Sequence, residues 1–317
     1  MLNKISDELK EKIKNFTSED KIIFNNKVLD INHNYFIPIT SVIKQENEIK
    51  NKTITFIDGG QAEIISAGNF CLSFIRIVGL IIRNNKKINN IKKEFYLLTT
   101  ANYSDNELFY QSKIFGDKLV DEDDLYISST DNTIRTGMER ASISKVSNVA
   151  RRFAELSMAS CVNSDYVVLD GTLESTYKNE DKYLSRLNCN VCALAKSSSL
   201  FTTSGNSPIV LLNKLGPEGC WHYFLEHKSY FVKLHEKAKH VFRFEGNKDV
   251  LAELLDNCND ALFLGYPYSL ILADRLARVG NQEKKSLQMR FLLSNENREI
   301  AEYLNTGNAH EILDNLG

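Results

Sequence analysis

Apolar positions along the chain follow two different periods. Leu2, Ile5, Leu9, Ile13 and Phe16 recur every three or four residues, which predicts an amphipathic N-terminal helix that packs on the body or docks a partner. Thr53-Ile54-Thr55-Phe56-Ile57 and Tyr166-Val167-Val168-Leu169 are short runs rich in β-branched residues, the signature of strands buried on both faces. Both runs lead into an acid followed by glycine: Asp58-Gly59-Gly60 and Asp170-Gly171-Thr172. An Asp-Gly pair also marks ordinary turns. Its repetition after two buried strands points instead to carboxylates delivered at the carboxyl ends of neighbouring strands.

The same pattern orders the rest of the chain. A polar connector, Lys44 to Lys52, precedes the first strand. Phe70 to Ile82 and Glu94 to Ala101 predict two more strands, and the tight connections imply an antiparallel meander. Between them, Arg83 to Lys93 is basic and turn-prone, either a solvated hairpin end or a phosphate contact. The acidic run Asp121 to Asp124 reads as a solvated loop. Helical spacing covers Thr133 to Cys161, with Val146, Val149, Phe153 and Leu156 as its buried stripe. Glu155 borders that stripe, within reach of a cleft beside the sheet or of Arg151 at i, i+4.

A helix near Asp181 to Asn188 and a strand Val191 to Ala195 come next. Trp221 to Leu225, Tyr230 to Leu234 and His240 to Phe244 predict further strands. Val250 to Cys258 predicts a helix, and Gly265 begins a last core helix bearing Asp274 and Arg275. Residues 282–317 read as terminal helices. The expected division is an N-terminal helix and connector (1–50), one elaborated α/β domain (51–281) and a C-terminal helical extension (282–317).

Composition narrows the class. The formal net charge is −2, so the surface as a whole is not that of a nucleic-acid binder, and polyanion contacts must come from local patches, an oligomeric groove or a partner. No apolar run reaches the ~18 residues of a membrane span, and the first residues lack a secretory h-region, so a cytoplasmic protein without membrane association is expected. Six cysteines make no disulfide-dense pattern; Cys189 and Cys192 form a single C-x-x-C without a second pair and read as structural thiols. The histidines show no metal-ligand spacing.

Acids therefore sit on the first strand (Asp58), the helix (Glu155), the next strand (Asp170) and the late helix (Asp274). That order is the layout of a ribonuclease H-like α/β fold, a mixed central sheet flanked by helices, here with additional N- and C-terminal helices. Carboxylates gathered there would raise each other's pKa unless a divalent cation neutralises them, and Mg²⁺ and Mn²⁺ prefer such oxygen donors. Two ions about 3.5–4 Å apart can activate water and stabilise the leaving oxygen of a phosphodiester.

From Thr53 to Val279 the sequence resembles the NurA nucleases of archaea and bacteria. The resemblance rests on Phe56-Ile57-Asp58-Gly59-Gly60, Arg151-Arg152-Phe153-Ala154-Glu155, Val168-Leu169-Asp170-Gly171-Thr172-Leu173 and Ala195-Lys196-Ser197-Ser198-Ser199-Leu200-Phe201-Thr202. It continues through Val241-Phe242-Arg243-Phe244-Glu245 and Gly265-Tyr266-Pro267-Tyr268 to Asp274-Arg275. It implies a DNA-end-processing nuclease with single-strand endonuclease and 5′→3′ exonuclease activity, dependent on Mn²⁺ or Mg²⁺. It also implies a homodimer working with the hexameric ATPase HerA in double-strand-break resection. Asp58, Glu155 and Asp170 match the family's metal-binding acids; Asp274 matches a position where other polar residues also occur. Lys196 is a candidate phosphate contact or a salt-bridge partner. Arg243 is a substrate-binding candidate that shares a strand face with Glu245 and could simply pair there. Two rival readings stay open: an ATP-hydrolysing, actin-like or sugar-kinase-class protein, and a catalytically silent module that binds DNA or a translocase.

Overall fold

The computed structural model describes residues 1–14, 20–40 and 52–307. Phe16 of the N-terminal stripe, nearly all of the polar connector, and residues 308–317 of the predicted terminal helices lie outside the described residues. Helix α1 (Leu2–Lys14) is present and leaves Leu2, Ile5 and Leu9 exposed. Three short strands follow where only a helix and connector were expected: β1 (Lys21–Phe24), β2 (Lys27–Asp30) and β3 (Phe36–Pro38). Four-residue strands are too short to show a period. The β1–β2 turn is made by Asn25 and Asn26, both at positive φ, where asparagine is among the residues least strained.

The central meander comprises β4 (Thr53–Ala67), β5 (Phe70–Arg83), β6 (Lys86–Ser104), β7 (Glu107–Gly116) and β8 (Ile127–Ser128). All four successive pairs are antiparallel. Two expectations need correction. The basic stretch is a hairpin end, as read, but mostly strand, with only Asn84 and Asn85 in the turn, because its backbone pairs with β5 as far as Arg83↔Lys86. Helix α2 (Val146–Cys161) begins thirteen residues later than the spacing suggested, led in by a single 3₁₀ turn at Ile143–Lys145.

The remaining elements are β9 (Tyr166–Asp170), α3 (Glu180–Leu184), β10 (Val191–Ala195), β11 (Phe201–Thr202) and α4 (Pro208–Leu215). Then come β12 (Trp221–Glu226), β13 (Ser229–Lys233), β14 (Phe242–Glu245) and α5 (Val250–Leu254). Helices α6 (Tyr268–Ala277), α7 (Asn281–Leu292) and α8 (Arg298–Gly307) complete the chain's described elements.

Two compact units result, each gathered from three stretches of chain. The first takes Met1–Lys52, Val168–Leu173 and Cys189–Leu270. Its strands run β3-β12-β13-β14-β10-β9, beside a small sheet β11-β1-β2. Ile22 and Phe24 of β1 pack into one core with Trp221, Tyr223, Phe231 and Val241. The second unit takes Thr53–Val167, Glu174–Asn188 and Ile271–Gly317, and holds the β4–β8 meander. Helix α2 lies on the face of Ile57 and Gly79, where Met158 meets Gly79 closely. Helices α7 and α8 pack over Ile64, Ile65, Leu72 and Phe74. Arg76 of β5 locks α7 down by pairing with Glu94 at 2.6 Å and with Glu283.

Candidate functional site

In the second unit, β4 and α2 place two of the expected acids around one glycine. Asp58 is buried, and its Oδ1 accepts the Gly59 N–H at 2.7 Å. Glu155, 4% exposed, reaches Gly59 from α2: a Cβ on Gly59 would stand 2.5 Å from Glu155 Oε1. A side chain at this position would expel the carboxylate, so glycine is what permits the approach. Side chains alternate along a strand, so Asp58 and Glu155 come to Gly59 from opposite faces of β4.

Arg151 fixes that approach. Its Nη1 donates to Glu155 Oε1 at 2.6 Å and to the Gly59 carbonyl at 3.2 Å, while Nε donates to Gln61 Oε1 at 3.1 Å. Gln61 donates in turn to Asn148, so two turns of α2 are laced to Gly59 and Gln61 of β4. The i, i+4 pairing foreseen for Glu155 is therefore present, and it operates beside Asp58. On the other face, a Cβ at Gly60 would collide with the Ala277 carbonyl, so the end of α6 passes against β4 two residues from Asp58. Asp274 lies on that helix, about one-third exposed, with its carboxylate paired to Arg278 at 2.7 Å.

In the first unit, Asp170 ends β9, and Gly171 turns the chain with φ +108 while donating to the Leu194 carbonyl. Lys196 Nζ donates to Asp170 Oδ2 at 2.5 Å, and Tyr266 OH donates to Oδ1 at 3.2 Å. Lys196 also stands over the Tyr266 ring at 5.5 Å, with half of its side chain exposed. Arg243 is different: it is 5% exposed, pairs with Glu245 at 2.8 Å and lies over the Phe24 ring at 5.1 Å. Glu245 also accepts the Leu173 N–H at 2.6 Å, which holds the segment following Asp170. Of the two uses foreseen for Arg243, pairing is the one its burial supports.

Sequence reasoning passed over Tyr266, Gln61 and Glu180. Tyr266 stood in the Gly-Tyr-Pro-Tyr stretch, but nothing in its spacing connected it to Asp170. Glu180 is fully buried and accepts Arg152 Nε at 2.7 Å together with the N–H groups of Thr176 and Tyr177. All six cysteines are free. Burial pushes the Cys192 thiol up to about 12, so it stays protonated, whereas Cys189 is exposed; the pair does not form a thiolate site. Among the described residues no group of three or more His, Cys, Asp or Glu is arranged to hold a metal ion. Asp58 and Glu155, which flank Gly59, are carboxylates, whose oxygens suit Mg²⁺ or Mn²⁺ in kind. Among the described residues no helix is long and apolar enough to cross a membrane.

No family model matches the chain. No curated protein matches it. Solved structures do. One of NurA aligns over 95% of this chain and 98% of its own, with TM-score 0.54 at 9% identity. The NurA nuclease from Sulfolobus solfataricus aligns over 94% of this chain and 93% of its own, at TM-score 0.49 and 14% identity. Endonuclease V of Ciona intestinalis, in complex with an inosine-containing 24mer DNA, aligns over 90% of this chain and all of its own, at TM-score 0.38 and 12% identity. The likeness is one of fold: the chain has the NurA architecture, α/β and ribonuclease H-like, as the sequence resemblance implied.

Proposed function

We propose that this protein is a metal-dependent nuclease that hydrolyses DNA phosphodiesters. The observation that carries the reading is the meeting of Asp58 and Glu155 at Gly59, within a fold shared with NurA. Asp58, Glu155 and Asp170 are the oxygen donors assigned to the ions, with Asp274 orienting the water or a second ion. Bound Mn²⁺ or Mg²⁺, two ions in this reading, supplies an acidified water and charge stabilisation for the leaving oxygen. Arg151 balances the charge of the buried Glu155 and holds its carboxylate against Gly59. Lys196, half exposed and bonded to Asp170, is placed to take a phosphate oxygen by turning away from that carboxylate. Glu245, by holding the Leu173 N–H, steadies the turn that presents Asp170.

Family-level details follow as parts of the same proposal: single-strand endonuclease and 5′→3′ exonuclease action in end resection, a HerA-type hexameric ATPase as partner, a homodimer, a cytoplasmic setting, and residues 51–281 as the nuclease portion. The test is cleavage of end-labelled single- and double-stranded DNA with Mn²⁺, with and without the ATPase. Asp58→Ala or Asp170→Ala should lose more than the roughly 10–100-fold that outer-shell changes cost a metal site. Undiminished cleavage by either variant, in preparations free of other nucleases, overturns the assignment.

A further inference from the structure

We propose that the tip of the β5–β6 hairpin is a phosphate-binding arm, gripping the nucleic-acid backbone at a distance from the acids that cut it. The inference rests on the nuclease reading for its ligand, and on the hairpin alone for its geometry. Between Arg83 and Lys93 the chain carries Arg83, Lys86, Lys87, Lys92 and Lys93 and no acid, in a protein whose net charge is −2. Residues 83–90 are all exposed. Lys92 and Lys93 are paired, with Glu94 at 3.1 Å and Asp117 at 2.9 Å. Arg83, Lys86 and Lys87 make no ion pair among the described residues.

Their arrangement works against the hairpin's own stability. Arg83 and Lys86 are directly opposite one another across the two-residue turn, and Lys87 faces Ile82 one step further in. Like charges directly opposed on an antiparallel pair repel. A bland explanation exists: β7 pairs with β6 only from Phe95 to Ser104, which leaves residues 86–94 on an open sheet edge, and charge protects such edges. Edge protection often uses lysine too, but it does not call for two like charges directly opposed, as Arg83 and Lys86 are. Uniformly positive charge at the most crowded pair is what a polyanion requires.

Register sets the span. Asp58 lies opposite Val78 and Thr53 opposite Arg83, five positions along β4. At about 3.4 Å per residue, Arg83 at the tip stands about 17 Å along the strand from the level of Asp58. With about 3.4 Å of rise per nucleotide along a duplex strand, a duplex must extend about five base pairs past the scissile bond to use it.

The experiment uses the full chain in EDTA, so that binding is read without cleavage. Anisotropy of a labelled 20-nucleotide strand is followed across a salt series for wild type, Arg83→Gln/Lys86→Gln/Lys87→Gln, and the corresponding triple glutamate variant. Loss of three phosphate contacts should lower the slope of log K against log salt by about 2. Glutamate should weaken binding further than glutamine, although it protects the edge equally well. Lys87→Gln alone, with its thermal midpoint checked, should lower the slope by about 0.7 and keeps the test valid if the triple variants fold poorly. With Mn²⁺, the triple glutamine variant should cleave duplexes more slowly where they extend well past the cut, and normally where they end within four base pairs of it. Unchanged affinity and slope overturn the arm, as does binding lost only toward phosphatidylserine vesicles. An intact arm on a protein that never cleaves DNA would instead overturn the nuclease reading.

Discussion

Gly59 is where the size of one residue controls the candidate chemistry. A methyl there would meet Glu155 Oε1 at 2.5 Å, Ile77 Cδ1 at 2.8 Å and Arg151 Cγ at 2.9 Å. All three neighbours are held, Glu155 and Arg151 by each other and Ile77 by the buried face of β5. Gly59→Ala should therefore cost about 1–3 kcal/mol by overpacking. It should also depress cleavage more than the stability loss explains, since Glu155 must retreat from Gly59. Urea titration and Mn²⁺-dependent cleavage, measured on the same preparation, separate the two effects. Asp58, Gly59 and the Glu155–Arg151 pair were legible in the sequence because each depends on local rules: a buried run ending in Asp-Gly, and two charges one helical turn apart. Tyr266 was not, because its bond to Asp170 joins residues 96 positions apart with no periodic signal between them.

Elements were legible where their own pattern decided them and illegible where a neighbour did. The buried strands β4 and β9 came straight from β-branched runs, and β10 from a short apolar run. Strand β6 extends through Lys86–Asn90, polar or charged at every position but Ile88, because β5 offers backbone partners there, which composition cannot announce. The segment before α3 shows the same effect in a loop. Residues 174–181 are polar in composition apart from Tyr177, yet Glu180 is 0% exposed and holds Arg152 of α2 and two backbone N–H groups at once. That acid clips the loop to the helix that carries Glu155. Glu180→Ala leaves the Arg152 guanidinium, 12% exposed, without this carboxylate, and breaking such a buried pair costs about 3–5 kcal/mol. The expected outcome is a large fall in the urea midpoint together with faster proteolysis in 174–180. A change below about 1 kcal/mol would mean that the carboxylate is not what orders the segment.

The most consequential feature beyond any local pattern is that neither compact unit is one continuous piece of chain. Residues 1–52 do not stand apart as an appendage: β3 pairs with β12, β1 pairs with β11, and Ile22 and Phe24 enter the Trp221 core. Ile22 is 1% exposed and Phe24 3%, so each contributes about 1.5–3 kcal/mol of burial. Together that is a large part of the roughly 5–15 kcal/mol by which native proteins are stable. The boundary near residue 50 expected from the polar connector thus separates a helix and three strands from the strands they complete. Phe24→Ala should cost about 3–5 kcal/mol, and a chain beginning at residue 53 should lose the burial of Trp221, Tyr223, Phe231 and Val241 altogether. Tryptophan emission reports this directly, because Trp221 is the only tryptophan and is 1% exposed in the intact chain. A red-shifted, quencher-accessible spectrum in the shortened chain is expected, with the meander of β4 to β7 still protected in hydrogen exchange. An unshifted spectrum would show that β12 and β13 hold their core without β1, and that residues 1–52 are dispensable to the fold.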